Sequence, residues 1–206
     1  MNIGILDYGA GNLRSVTNAF TEIGQTATLV TKPEHFDSLD LLVFPGQGAF
    51  GDCVRQLSDS GLLHPLKKWV GEEKPYLGIC LGYQLLFDRS EESPVVPGLS
   101  AFKGDVVRFP QAPGLKVPHM GWNTATFVNG EETLWRGLGS QTYFYFVHSY
   151  YPAPADDSLA GCKTDYAGLT FASGIVKKNL VATQFHPEKS QKAGLALLRN
   201  AVEFLR

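Results

Sequence analysis

KPYLGICLGYQ, Lys74 to Gln84, is the stretch from which the rest of the chain is read. Pro75 to Ile79 is a short apolar run, and Gly78-Ile79-Cys80-Leu81-Gly82 has the form Gly-x-nucleophile-x-Gly. Leu81, Leu85 and Leu86 then begin a helical pattern, so the segment reads as strand, sharp turn and helix. Such a turn pushes one side chain out at the carboxyl edge of a sheet. Its flanking glycines are needed where a Cβ would meet the neighbouring strand or the turn itself. N–H groups at the start of the helix favour a thiolate and a nearby oxyanion. Cys80 therefore reads as a nucleophile; the plainer alternative is a buried structural cysteine.

Upstream of that turn, Asn2–Asp7 (NIGILD) is an apolar run ending in Tyr8-Gly9-Ala10-Gly11-Asn12. Leu13, Val16, Phe20 and Ile23 follow at helical spacing, with Gly24 where a helix-ending glycine belongs. Arg14 stands where the third glycine of a dinucleotide fingerprint would be, so a tight β–α turn is favoured over a phosphate loop. Thr26–Thr31 and Leu39–Phe44 read as further strands, and Leu62, Leu63, Leu66, Trp69 and Val70 as an amphipathic helix. The order β-α-β-β-α-β-α through Phe87 implies an α/β fold: an open, mostly parallel sheet with sites at its carboxyl edge. Pro45-Gly46-Gln47-Gly48 ends one of those strands. Its glycines let backbone N–H groups turn toward a ligand, which is where an oxyanion donor should lie beside Cys80.

From Glu91 onward Pro94, Pro97, Gly98, Pro110, Pro113, Gly114 and Pro118 interrupt short β-like runs such as Gly104–Phe109. Thr142–Tyr151 reads as one strand dense in aromatics, and Leu169–Ile175 with Leu180–Gln184 as a hairpin around Lys177-Lys178-Asn179. These are taken as antiparallel additions to the same core, and no linker separates the halves, so residues 1–206 are expected to form one domain. Ser190 is expected to cap a last helix burying Ala193, Leu197, Ala201, Val202 and Leu205.

The strand Leu180–Phe185 leads into His186-Pro187-Glu188. A cysteine acyl transfer needs a base within hydrogen-bond reach and a third group to orient it. His186 fits the first role. Glu188, two residues on, fits the second if the segment is extended. Of the other histidines, His35 and His64 lie in surface-like contexts, and His119 and His148 lack an adjacent carboxylate.

Composition narrows the classes. The 206 residues are 44% hydrophobic and 18% charged, which fits a globular protein rather than a disordered one. A net charge of −2 leaves no electrostatic footprint for nucleic acid or an anionic membrane. No stretch reaches the ~20 apolar residues a bilayer crossing needs, and MNIGILDYG has no basic region of the signal-peptide kind. Cys53, Cys80 and Cys162 are odd in number and widely spaced, which suggests neither a disulfide framework nor a zinc site; a reducing cytoplasm is expected. Neither a metal nor a cofactor is expected, since no histidine–carboxylate cluster has ligand spacing.

GICLGYQ, PGQGAF and QFHPEKS together resemble the class I (triad) glutamine amidotransferase family. DYGAGN, PHMGWN at Pro118–Asn123 and YFYFVHSYY at Tyr143–Tyr151 resemble, within it, the glutaminase subunits of imidazole glycerol phosphate synthases. The match spans the chain and keeps every motif position. It implies a three-layer, flavodoxin-like open sheet and hydrolysis of L-glutamine to glutamate and ammonia. The ammonia would pass to a separate (β/α)8-barrel cyclase subunit in a heterodimer of histidine biosynthesis. By motif, Cys80 would form the γ-glutamyl thioester, His186 act as base and acid, and Glu188 orient it. Leu81 and a backbone N–H of Gly46, Gln47 or Gly48 would hold the oxyanion. Gly48, Gln84, Glu92, Ser149 and Tyr150 would bind glutamine; Asn12, Met120, Trp122, Tyr145 and Lys189 would line the ammonia exit and meet the partner. The plainer readings are a helix-surface glutamine for Gln84, a solvated charge for Glu92 and Lys189, and core packing for the aromatics. Other functions weighed are a glutaminase serving a pyridoxal phosphate or anthranilate synthase, a silent glutaminase-like binding subunit, and a general thiol hydrolase or peptidase.

Overall fold

A computed structural model describes residues 1–112, 114–128 and 132–206; Pro113, read above as a break, lies outside them. The chain opens with β1 (Ile3–Leu6), α1 (Leu13–Glu22) and β2 (Ala27–Val30). Next come β3 (Leu41–Gly46), α2 (Phe50–Asp59), α3 (Leu63–Gly71), β4 (Tyr76–Cys80) and the single turn α4 (Leu81–Gln84). β5 (Arg89–Ser90), β6 (Gly104–Arg108), β7 (His119–Phe127) and α5 (Glu132–Trp135) follow. β8 (Gln141–His148), β9 (Tyr150–Pro154), β10 (Ala160–Tyr166), β11 (Leu169–Lys177), β12 (Leu180–Thr183) and α6 (Gln191–Phe204) close the order.

Nine strands form one sheet in the order β2-β1-β3-β4-β12-β11-β10-β7-β8. β2, β1, β3, β4 and β12 are parallel, and β11, β10, β7 and β8 add on antiparallel. A second sheet, β5-β6-β9, lies apart from it. Alternation along the strands builds the layers. Leu41, Val43, Leu77 and Ile79 join one apolar cluster with residues of α1 and α6; Leu42, Phe44 and Tyr76 join the other with residues of α2 and α3. Helices therefore cover both faces. The chain passes from β1 to β2 on one side and from β2 back across to β3 on the other, so the strand order reverses between β1 and β3, next to β4. Among the described residues no helix is long and apolar enough to cross a membrane.

Three expectations are corrected. The expected order omits α2, whose buried stripe is Phe50, Cys53 and Leu57. The helix after Cys80 stops after one turn. Leu85, Leu86 and Phe87 are all fully buried, which one helix face cannot achieve, and their carbonyls accept N–H groups from Leu99, Phe102 and Ser100 instead. The aromatic run Thr142–Tyr151 is two strands broken at Ser149, with β8 in the large sheet and β9 in the small one.

Candidate functional site

Cys80 ends β4 at φ 55°, ψ −100°, outside the conformations favoured by L-residues, and α4 starts at the next residue. Close approach dictates the glycines around it. A Cβ on Gly82 would lie 2.0 Å from the Phe44 carbonyl oxygen, and one on Gly78 2.8 Å from that of Gly82. Tyr76 ties the turn down, its hydroxyl donating to the Gly82 carbonyl at 2.6 Å. Burial pushes the Cys53 and Cys162 thiols up to about 12, so neither is a nucleophile at neutral pH.

β12 lies parallel to β4, with Thr183 opposite Ile79, so the chain leaving β12 reaches His186 beside the turn that holds Cys80. His186 Nδ1 and Glu188 Oε1 are 2.8 Å apart, and both side chains are 2% exposed. The carboxylate comes round not in an extended segment, as expected, but on a 3-10 turn over Pro187–Lys189. Gly194 lets α6 pack against that turn, since a Cβ there would sit 1.8 Å from the Pro187 carbonyl oxygen. Ser190 does not cap α6 with its side chain. Its hydroxyl donates to the His186 carbonyl at 2.6 Å and accepts the Tyr145 N–H at 3.0 Å, while the His186 N–H donates to the Tyr145 carbonyl at 2.9 Å. The histidine backbone is thus pinned between β8 and α6. Among the described residues its Nε2 is buried without a hydrogen-bond partner, as is Glu188 Oε2. Burial alone disfavours the imidazolium, but the charge of Cys80 and the Glu188 carboxylate outweigh it and raise the His186 pKa to about 10.

Gly46 is the register partner of Cys80 across β3 and β4, so the Gly46-Gln47-Gly48 loop starts beside the sulfur. A Cβ on Gly46 would meet Leu81 Cβ at 2.6 Å and the Tyr8 hydroxyl at 3.0 Å; Gly48, at φ 107°, needs glycine for its backbone rather than for space. Glu92 is not a solvated charge. Its Oε2 accepts the Phe50 N–H at 2.7 Å at the start of α2, and Ser93 Oγ accepts that of Gly51 at 3.2 Å.

A cavity of about 430 Å³ opens over Cys80. Gln47, Gly48, Leu81, Gln84, Glu92, Ser149, Tyr150 and His186 line it with Cys80, as do Tyr145 and Lys189. Gly46, Glu188, Asn12, Met120 and Trp122 do not. Asn12 caps α1, its Oδ1 accepting the Ser15 N–H at 3.2 Å. Met120 and Trp122 point outward from β7 and are 62% and 47% exposed. Trp122 pairs with Tyr145 across β7 and β8, their rings meeting edge to face. Gln84 is buried, not on a helix surface: its Nε2 donates to the Tyr150 carbonyl at 3.0 Å and to Gln184 Oε1 at 3.2 Å. Among the described residues no group of three or more His, Cys, Asp or Glu side chains is arranged to hold a metal ion.

Two features escaped the sequence reading. Gln184 Nε2 donates to Cys80 Sγ at 3.6 Å, a contact that favours a negative sulfur. Its only signal was its place two residues before His186. His119 and His148, set aside for want of a carboxylate, are joined to each other at 3.0 Å, with His148 itself lining the cavity and His119 behind it.

The profile of the family described as "Glutamine amidotransferase class-I" matches residues 4–204. "Imidazole glycerol phosphate synthase subunit HisH" of Methanothermobacter thermautotrophicus is 48% identical over 204 residues, 99% of either chain. The protein of the same name in Syntrophotalea carbinolica is 47% identical, covering 95% of this chain and 97% of that one. Among solved structures, one described as a glutamine amidotransferase has a TM-score of 0.76 at 21% identity, covering 100% of this chain and 99% of its own. PurLQS from Thermotoga maritima has a TM-score of 0.72 at 17% identity with the same coverage. These two establish the fold.

Proposed function

The chain belongs to the class I glutamine amidotransferase family, and from that premise we propose that it is the glutaminase subunit of an imidazole glycerol phosphate synthase. The reading rests on one conjunction: end-to-end similarity to subunits of that name, in a chain whose cavity holds Cys80 beside the His186–Glu188 pair. The chemistry follows from those groups. Facing a Cys80 thiolate, His186 keeps its proton at neutral pH, because its pKa stands at about 10. The sulfur attacks the γ-carboxamide carbon of glutamine, and the Sγ–C bond forms. His186 then passes its Nε2 proton to the nitrogen as the C–N bond breaks, and ammonia leaves. Water attacks the thioester and gives its proton to His186, releasing glutamate and restoring the thiolate. Glu188 holds the Nδ1 proton and so keeps Nε2 turned to the reaction.

The Leu81 N–H and one from Gly46-Gln47-Gly48 hold the oxyanion. Gly48, Gln84, Glu92 and the Ser149–Tyr150 backbone hold glutamine; Glu92 uses one oxygen on α2, and its second takes the substrate ammonium. Asn12, Met120, Trp122, Tyr145 and Lys189 lie toward the partner, a (β/α)8-barrel cyclase that receives the ammonia in a cytoplasmic heterodimer. Exposed Met and Trp beside a cavity mouth are the residue types that anchor such interfaces.

The test is glutamate release by the purified chain, alone and with a histidine-pathway cyclase subunit and its ribotide ligand. The complex is expected to exceed the isolated chain by about 10²–10³-fold, the worth of one oxyanion donor. Cys80→Ala should abolish release while leaving the complex able to use free ammonia. Equal rates with and without the cyclase, or loss of the ammonia-dependent reaction in Cys80→Ala, would overturn the reading.

A further inference from the structure

We infer that His119 and His148 are positioning residues: a neutral, single-tautomer pair that sets the Ser149–Tyr150 wall of the cavity. The inference rests on the reading of that cavity as the glutamine site.

The wall is a break between two sheets. His148 ends β8 and Tyr150, opposite Arg108, begins β9, so Ser149 lies between the two ladders and Tyr150 at the end of one. The Tyr150 carbonyl accepts two hydrogen bonds, from Gln84 Nε2 at 3.0 Å on the α4 side and from His148 Nδ1 at 2.8 Å on the core side. Phe109 N–H holds the Ser149 carbonyl at 3.1 Å. The peptide facing the cavity is clamped from three directions, and His148 supplies the only side chain among those clamps that comes from β8.

The tautomers follow by elimination. A carbonyl oxygen only accepts, so His148 Nδ1 carries the hydrogen. In a neutral ring its Nε2 is then a lone pair, and His119 Nδ1, 3.0 Å away, must donate to it. His119 Nε2 is left as an acceptor, and Asn123 Nδ2 stands 3.2 Å from it, with its other hydrogen on the Asp165 carbonyl at 2.9 Å. Every group has one role, and no two lone pairs or two hydrogens confront each other. The surroundings enforce neutrality. The His119 ring is stacked between Phe146 and Tyr166 at 4.7 and 3.9 Å, and Phe109 and Phe171 close on His148 at 5.2 and 5.5 Å. A proton added to His148 would set its Nε2–H against the Nδ1–H of His119. One hydrogen flipped anywhere in the row breaks the contact with Tyr150 or opposes two like groups.

Removing the row should loosen the wall before it touches the chemistry at Cys80. In the complex with cyclase and ribotide ligand, His148→Phe is expected to raise the glutamine KM by about tenfold, the cost of one lost hydrogen bond to a buried carbonyl, with kcat changed less than about threefold. An asparagine amide reaches the position of Nδ1 and a glutamine amide that of Nε2. His148→Asn should therefore restore KM to within about threefold, and His148→Gln should not. That contrast also serves if His148→Phe does not fold. Imidazole nitrogen NMR of the unaltered protein should show both rings as Nδ1–H tautomers from pH 6 to 8. An Nε2–H tautomer at either ring, or Asn and Gln variants with equal KM, would overturn the inference. A protein with both tautomers in place but no glutamine turnover would instead overturn the functional reading on which it rests.

Discussion

His186, at the carboxyl end of the parallel strands, and the His119–His148 pair, among the antiparallel ones, are equally shielded: 1%, 2% and 6% exposed. Their protons behave in opposite ways. Burial lowers the pKa of His119 to about 4 and that of His148 to about 3, the latter only partly offset by its bond to the Tyr150 carbonyl. Burial presses on His186 as well, yet Cys80 and Glu188 carry it up to about 10. What separates them is the partner, an anion in one case and a carbonyl or another imidazole in the other. A buried histidine becomes a proton carrier only where a negative group faces it; elsewhere it is a shaped hydrogen-bonding wedge.

The largest effect should come from removing that anion without changing its shape. Glu188→Gln should cut glutaminase kcat/KM by about 10³–10⁴-fold, since the amide can present the wrong partner to Nδ1 and no longer supports the imidazolium. The ring pKa should fall below about 10, read by NMR titration. A variant with near-native turnover would make Glu188 a packing residue and erase the distinction drawn between the two sites.

Stability against pH sharpens the same contrast, with one limb for each site. The free histidine value is 6.5. For His119 and His148 the folded values are depressed, so their neutral burial costs nothing above pH 6.5. As pH falls from there toward about 4 and about 3, the unfolded chain binds protons the folded one refuses, and stability drops. For His186 the folded value is raised: its stabilising contribution is complete below 6.5 and is lost as pH rises through about 10. Urea midpoints from pH 5 to 9 should fall at both ends, the window from 6.5 to 5 belonging to histidine because carboxylates titrate lower, and the one from 6.5 to 9 to His186 because the buried Cys53 and Cys162 thiols weigh in only above it. His148→Phe should flatten the acid limb and Glu188→Gln the alkaline one. A swap of those assignments would reverse the comparison.

The two sites also differed in how far the sequence disclosed them. Gly78, Cys80 and Gly82 lie within one turn, and His186 and Glu188 within another, so short-range spacing betrays both. The parallel pairing of β4 with β12 then joins Cys80 and His186, 106 residues apart in the chain. The His119–His148 contact has no such signature. It depends on the register of β7 against β8, which sets His119 opposite His148, and on both facing inward. Met120 and Trp122 alternate outward on the same strand, but an inward histidine beside no carboxylate looks like any core residue. The plainer reading of Glu92, a solvated charge, fails for a related reason: its partner, the Phe50 N–H, belongs to α2, which the expected order omits.

The smallest effect should come from the far end of the histidine row. Asn123 is half-buried, so water can take its place, and Asn123→Ala should cost about 0.5–1.5 kcal/mol of stability and leave the glutamine KM within about threefold. Its influence should appear elsewhere. Asn123 Nδ2 is what obliges His119 Nε2 to accept. With water there instead, Nε2 can keep a hydrogen, and Nδ1 would then turn a lone pair toward that of His148 Nε2 across 3.0 Å. The Asn123→Ala protein should therefore show exchange-broadened imidazole nitrogens at His119 while His148, still bound to the Tyr150 carbonyl, stays sharp. Broadening at both rings with a tenfold rise in KM would mean that the row acts as one cooperative unit. Sharp signals at both would mean that stacking by Phe146 and Tyr166, rather than the amide, selects the tautomer.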